Sequence, residues 1–489
     1  VIETPTLVFR PVLPELILCA VAIIGMLYEA FARRSDRNAH LAIALVGLTG
    51  AAAAAWTLWD WTGDAFVLGD TVAADRFSVL ARFVLLGSAA VGCLFYTSET
   101  GRDPASYRGE FYPLVLFATA GMTLITAAND LIVVFLALEI LSLALYVLTG
   151  ITGRPRSIEA SMKYFLLGAF SSAFFLYGIA MAYGATASTK IAGSAGTTGI
   201  VQALSGQTGS QALALLALGF LVIGFGFKVS AAPFHMWTPD AYQGAPTPVT
   251  AYMSAATKVA MFFALMRVFD VALQPLAWDW TPILYALAIV SVVVGAVLAI
   301  AQTDVKRMLA YSSIAQAGFI LVGLTSPNAA GMRAAMFYLV AYSLVTLGSF
   351  GIVMLVEVRG AGSELSDFAG LARTRPLPAA LMTVFMLSLA GIPPTAGFIA
   401  KVNVFEAAIA VGNWPLTVVG VLASVVAAFF YLRVIVYMYM QPAPETEGVD
   451  APPAVPQVVA GVLALATLAL GVFPGLVSGL LEQAALLRW

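Results

Sequence analysis

The sequence predicts an all-α integral membrane protein of about fourteen transmembrane helices, with two inverted five-helix repeats, each containing a broken helix. Three observations predict it. About 61% of the 489 residues are hydrophobic and 10% are charged, against the roughly 25% charge of a soluble domain. The apolar residues fall into runs of about 20, the length that crosses a bilayer as a helix. Two of those runs are interrupted by Gly and Pro, and the two interruptions lie five runs apart.

In chain order the runs are residues 13–32, 40–59, 76–97, 111–128, 130–150, 159–184, 211–240, 248–270, 281–301, 305–325, 331–357, 377–411, 415–440 and 456–481. The first has no basic segment before it and no small-residue cleavage site after it, so a retained helix is expected. Run seven contains GFLVIGFGFKVSAAPFHMWTPDAYQG, interrupted at Gly224, Gly226 and Pro233. Run twelve contains LMTVFMLSLAGIPPTAGFIAKVNVF, interrupted at Gly391, Pro393, Pro394 and Gly397. Proline removes a backbone donor and clashes with the preceding turn. In a bilayer the freed carbonyls are tolerated only where protein or a water-filled cavity satisfies them.

Runs four to eight and nine to thirteen therefore form two units with the broken helix fourth in each. An odd number of helices per unit turns the second unit over, the inverted-repeat plan that places ion sites at broken helices. A plain kink is the alternative at each break; a lysine beside each favours a site. The expected organisation is residues 1–109 as three peripheral helices, 110–270 and 271–440 as the repeats, and 441–489 as a linker and last helix.

Basic residues set the orientation. With the N-terminus outside, the cytoplasmic side holds Arg33, Arg34, Arg37, Arg102, Arg108, Arg154, Arg156, Lys163, Lys306, Arg307, Arg359, Arg373 and Arg375. The outer side holds Arg10, Arg76, Lys190, Arg267, Arg333 and Arg488. Both termini are thus expected on the periplasmic side.

Composition also excludes functions. A net charge of −2 leaves no basic face for nucleic acid. Cys19 and Cys93 are the only cysteines, in no CxxC, so no iron–sulfur or zinc site is expected. Two histidines, His40 and His235, argue against haem held by paired histidines. No GxGxxG follows a strand pattern, so no dinucleotide site is expected.

Of the six lysines, three lie neither in loops nor at run ends. Lys258 is about ten residues from either end of run eight, or about 15 Å of helix, beyond the reach of a snorkelling side chain of about 6 Å. Lys228 precedes the first break and Lys401 follows the second. Glu139 sits near the middle of run five. Each such charge costs roughly 2.5–3.5 kcal/mol at mid-membrane, and one glutamate cannot neutralise three lysines. Arginine stays protonated and cannot relay a proton, whereas a buried lysine can be tuned by a nearby carboxylate. The expected chemistry is proton movement along Glu139, Lys228, Lys258 and Lys401.

Other polar positions stay open. His235 either relays protons or bonds a freed carbonyl. Lys306, beside Asp304 and Arg307, reads as an interfacial anchor ahead of a relay group. Tyr311, Ser312 and Ser313 either hold waters between the repeats or serve polar helix packing. Arg82 and Lys163 are expected to snorkel from run ends. Glu406 lies either deep in the second half of run twelve or at its end.

The stretch GFKVSAAPFHMWTPDAYQGAPTPVTAYMSAATKVAMF resembles the signature of the antiporter-like subunits of respiratory complex I, the proton-pumping NADH:quinone oxidoreductase. TDVKRMLAYSSIAQAGF and LSLAGIPPTAGFIAKVNVF resemble later segments of the same family. WTPDAYQGAP and Lys401, where some sister subunits carry glutamate, are nearest to the N branch, counterpart of mitochondrial subunit 2. The resemblance covers runs four to thirteen.

The resemblance implies a proton-translocating membrane-arm subunit in a bacterial inner membrane, driven by redox chemistry in other subunits. It implies Glu139 and Lys228 as the pair of the first half-channel, Lys258 as the connection and Lys401 at the outlet. NADH, FMN, iron–sulfur clusters and quinone belong to the whole complex, with no cofactor in this chain. Its partners would be neighbouring membrane-arm subunits and lipid. The chain ends eight residues after run fourteen, without the lateral helix expected of the L branch. A Mrp-type cation/proton antiporter subunit is the alternative, and a structural membrane scaffold a further one.

Overall fold

The computed structural model describes residues 8–32, 35–101, 103–194, 196–206, 210–357, 362–443 and 453–485. Arg33, Arg34, Arg102, Arg359 and Arg488, used above for orientation, lie outside the described residues. The first half holds α1 (Leu13–Phe31), α2 (Arg37–Trp56), α3 (Arg76–Thr100), α4 (Phe111–Ala127), α5 (Leu131–Gly150), α6 (Pro155–Thr186), α7 (Ile200–Ser205), α8 (Gln211–Lys228), α9 (Trp237–Gly244) and α10 (Thr247–Arg267). The second holds α11 (Ala277–Ile300), α12 (Val305–Leu324), α13 (Ala329–Glu357), α14 (Leu371–Thr374), α15 (Pro376–Ala390), α16 (Ala396–Ala410), α17 (Trp414–Met440), α18 (Ala454–Val472) and α19 (Gly475–Ala484). A small hairpin, β1 (Phe66–Val67) and β2 (Val72–Ala73), pairs antiparallel with Phe66 opposite Ala73.

Among the described residues, 12 helical segments are long and apolar enough to cross a membrane. The other two predicted runs are α4 and α15, apolar but shorter. The chain is a multi-pass membrane protein. The sequence explains where its helices begin. Asp36, Asp75, Asp130 and Asp304 cap α2, α3, α5 and α12 by accepting a backbone N–H of the first turn. Proline opens α1, α6, α10, α15 and α17, where its missing N–H costs nothing.

The bundle is built around α10, which is buried along its whole length and packs on α3 and α13. The α12 and α13 helices are nearly as enclosed. Outer helices keep an apolar flank exposed, as at Leu136, Leu166, Val425 and Leu465, suited to lipid or an apolar partner.

Both predicted breaks are present. The α8 helix stops at Lys228, Ser230 takes φ 62°, and the helix resumes as α9 after Pro233. The α15 helix stops at Ala390, Gly391 takes φ 83°, and α16 resumes after Pro393 and Pro394. A Cβ on Gly391 would also lie 2.8 Å from Lys401 Cδ, so this turn needs glycine twice over.

Several expectations are corrected. Run fourteen is not one helix; it parts at Phe473 and Pro474 into α18 and α19. Arg82 does not snorkel. It is fully buried, with Nη2 2.9 Å from Glu15 and bonded to the Pro11 carbonyl. Arg267 is buried too, paired with Asp75 at 2.8 Å and donating to the Thr126 carbonyl. Each guanidinium thus meets a carboxylate and a carbonyl inside the bundle. Lys163 is half-exposed, 2.7 Å from Glu159 and 3.0 Å from Asp240.

Candidate functional site

The site grows from the two helix breaks, because a break exposes carbonyls that need donors inside the bilayer. At the first, Lys258 Nζ of α10 donates to the Val229 carbonyl at 2.9 Å. Trp237 Nε1 satisfies the Phe227 carbonyl at 2.9 Å, and Ser291 Oγ accepts the Ala232 N–H at 2.9 Å. At the second, Lys401 Nζ donates to the Leu389 and Ala390 carbonyls at 3.1 and 2.9 Å. Gly397 N–H finds Ser388 Oγ at 3.0 Å. Each break thus receives one buried lysine.

Lys228, the last residue of α8, points to α5. Its ammonium donates to Ser142 Oγ at 2.7 Å and reaches Tyr146 OH at 3.4 Å. Glu139 is three residues before Ser142, on the same side of α5. It is half-buried, and its Oε1 is buried without a hydrogen-bond partner. Among the described residues no ion pair joins Glu139 to Lys228; Ser142 occupies the near position.

A polar row continues between the breaks. Lys258 Nζ is 6.0 Å from the Tyr342 ring centre, and Tyr342 OH donates to Ser313 Oγ at 2.9 Å. The next residue, Ser312, shares a hydrogen bond with Tyr431 OH. Gln316 Nε2 donates to Tyr431 OH at 3.1 Å and reaches the Leu389 carbonyl at 3.3 Å, while Tyr338 OH donates to its Oε1. Lys401 meets the same Leu389 carbonyl. Polar groups of α12 and α13 thus stand in two sets, Tyr342 with Ser313 near Lys258, and Ser312, Tyr431, Gln316 and Tyr338 near Lys401.

Arg82 and Arg267 differ in their partners from Lys228, Lys258 and Lys401. Arg82 and Arg267 each face a carboxylate. Among the described residues, Lys228, Lys258 and Lys401 have neutral hydroxyl and carbonyl acceptors and no ion pair. A carboxylate would fix the positive charge, whereas neutral acceptors also tolerate the amine. Hydroxyls and an amide, which both donate and accept, stand between them.

The remaining candidates separate from this row. Lys306 is buried rather than anchored at an interface. It donates to the Ala245 carbonyl and Thr247 Oγ1, both at 2.9 Å, and lies 3.5 Å from Glu357. The reason is local: α12 starts under the junction of α9 and α10, and those groups need a donor. His235 is buried at the first break, beside the Pro233 backbone. Tyr311 is half-buried, 6.0 Å from the Arg307 guanidinium. Glu406 is exposed.

Ser142, Tyr146, Gln316, Tyr338, Tyr342 and Tyr431 join the site without having been singled out. Ser142 was within reach of sequence reasoning, one turn from Glu139. Gln316, an amide in an apolar run, was equally within reach. The tyrosines have no such signal, because buried tyrosines also serve ordinary packing.

Known proteins resemble this chain over most of its length. The family described as "NADH:quinone oxidoreductase/Mrp antiporter, TM" matches residues 128–427. NADH-quinone oxidoreductase subunit N of Rhodococcus opacus is 44% identical, covering 99% of this chain and 96% of its own. A chain of respiratory complex I from Thermus thermophilus with bound aureothin superposes with a TM-score of 0.80 at 34% identity, over 96% of this chain and 100% of that one. A chain of the Mrp complex from Dietzia sp. gives 0.82 over 97% of each chain, at 23% identity, a likeness of fold alone. The chain belongs to the NADH:quinone oxidoreductase/Mrp antiporter family, within the group of NADH-quinone oxidoreductase subunit N proteins.

Proposed function

We propose that this chain is a proton-translocating membrane-arm subunit of an NADH:quinone oxidoreductase, moving protons from cytoplasm to periplasm through Glu139, Lys228, Lys258 and Lys401. The observation that carries the reading is that Arg82 and Arg267 each meet a carboxylate, whereas Lys228, Lys258 and Lys401 are bonded to neutral acceptors. A lysine so placed takes up and gives back a proton as its neighbours change charge. Glu139 is the group whose movement toward Lys228 favours the protonated amine and whose withdrawal favours release. Ser313, Ser312, Tyr431 and Gln316 carry the proton between Lys258 and Lys401.

The proposal includes fourteen spans, with α8/α9 and α15/α16 as the broken fourth helices of inverted repeats over residues 110–270 and 271–440. Residues 1–109 form peripheral helices, and 441–489 a linker and last span. The membrane is a bacterial inner membrane with both termini outside. The neighbours are antiporter-like and small membrane-arm subunits on the exposed apolar flanks. NADH, FMN, iron–sulfur clusters and quinone are held by other subunits. Full-length relatives named for NADH-quinone oxidoreductase favour this reading over a Mrp-type antiporter.

Adding NADH to inverted membrane vesicles tests it. Acidification of the lumen should depend on this chain and need no sodium. A sodium-dependent signal without NADH would favour the antiporter.

A further inference from the structure

On the side that the basic residues assign to the cytoplasm, a cavity of about 440 Å³ opens beneath the junction of α9 and α10. Its charged lining is Glu99, Asp103, Arg154, Arg156, Lys306 and Glu357. Two of these carboxylates are placed unlike surface acids. Glu357 ends α13; its Oε1 lies 3.5 Å from Lys306 Nζ, and its Oε2 accepts the hydroxyl of Thr247, the first residue of α10. Lys306 also holds the Ala245 carbonyl just after α9. Glu357 thus touches the start of the helix that carries Lys258 and, through Lys306, the end of the broken helix that begins beyond Lys228.

Glu99 comes from α3, one of the three N-terminal helices outside the predicted repeats. Its Oε2 is buried and has no hydrogen-bond partner. A buried carboxylate oxygen left unpartnered costs free energy, and a structural acid would be expected to use the bases nearby. The charges acting on it are Glu357, Lys306, Arg154 and Asp103. A cavity of this size admits water.

We propose that Glu99 and Glu357 are the proton-collecting groups at the cytoplasmic mouth of the path, so that the N-terminal helices take part in uptake. The inference rests on the relay of the preceding section and adds its first members. Glu99 accepts a proton from hydronium in the cavity, giving water and the neutral acid. It passes that proton through water to the Glu357 carboxylate. Neutral Glu357 no longer pairs with Lys306, which keeps its two neutral acceptors, Ala245 O and Thr247 Oγ1. The junction of α9 and α10 therefore senses the arrival of each proton.

The test uses the assembled complex in inverted vesicles, with NADH oxidation and proton pumping followed across pH. Glu99→Gln should lower pumping by about threefold or more near pH 8 and recover it near pH 6, as for loss of a group that raises local supply. Glu99→Asp should keep most of the rate at both pH values. A purely structural role for Glu99 would give a loss independent of pH, and that result overturns the proposal, as does unchanged pumping at all pH values. Should Glu99→Gln not assemble, Glu357→Gln is read by the same criteria. Lys258→Arg, run in parallel, separates the two ideas. A blocked Lys258→Arg beside a normal Glu99→Gln removes the uptake groups only. Full pumping by Lys258→Arg removes the relay itself.

Discussion

Lys258 Nζ donates to the carbonyl of Val229 at 2.9 Å, and Val229 is the residue that follows Lys228 at the end of α8. One lysine therefore completes the break that places the other. Their side chains then diverge, Lys228 toward Ser142 of α5 and Lys258 toward Tyr342 of α13.

Among the described residues, the Tyr431 hydroxyl joins Ser312 to Gln316. Tyr431→Phe should cost about 0.5–1.5 kcal/mol of stability for the hydrogen bond lost and leave the complex assembled. Pumping should fall severalfold, because phenylalanine neither donates nor accepts. Initial rates of vesicle acidification, normalised to assembled complex, check this. An unchanged rate would take the path away from Tyr431.

The pair of Arg82 and Glu15 ties α3 to α1. Arg82→Ala leaves a buried carboxylate without its partner and should destabilise by about 3–5 kcal/mol. The double change Arg82→Met with Glu15→Leu should cost much less, because both charges leave together. Thermal unfolding of the purified complex, followed through loss of this subunit, distinguishes the two. Equal losses would mean that the pair is not coupled.

Asp70, in the β1–β2 loop, gives a pH dependence. Burial raises its pKa, but hydrogen bonds from Ser194, Thr197 and Lys190 and the Lys190 charge outweigh this and hold it below its ordinary 3.8. A depressed folded-state pKa stabilises above the unfolded value, and the contribution is lost as pH falls through the folded one. Amide protection at Ile191 and Ala192 should therefore drop on acidification below about pH 4, and Asp70→Asn should flatten that drop. Superimposable profiles for the two proteins would show that Asp70 does not hold this loop.

Much of the fold was legible because lipid imposes one rule on every span. The apolar runs match α1–α6, α10–α13 and α17 within a few residues. Pro233, Pro393 and Pro394 announced both breaks, since no other residue removes a backbone donor. Pro474 divides run fourteen for the same reason but lacked a nearby charge to draw notice. Arg82 was misread because its partner, Glu15, is 67 residues away, a distance that helix periodicity does not report. The acceptors of Lys306, Ala245 and Thr247, belong to another helix junction, which helix periodicity does not report either. The three lysines were legible from cost alone, while the tyrosines between them were not, since the same residues would fill an inert core.

The central claim is that Lys258 gives up its proton in each cycle. Lys258→Arg keeps the charge and a donor for the Val229 carbonyl, but arginine stays protonated and cannot give up its proton. Moving a charge against the membrane potential costs roughly 2.3 kcal/mol per 100 mV, so a blocked relay should also slow the coupled oxidation of NADH. The deciding measurement is NADH-driven proton pumping by inverted vesicles carrying assembled Lys258→Arg complex. The account predicts near-complete loss of pumping with assembly intact. Full pumping would contradict it, and the path would have to pass Lys258 by.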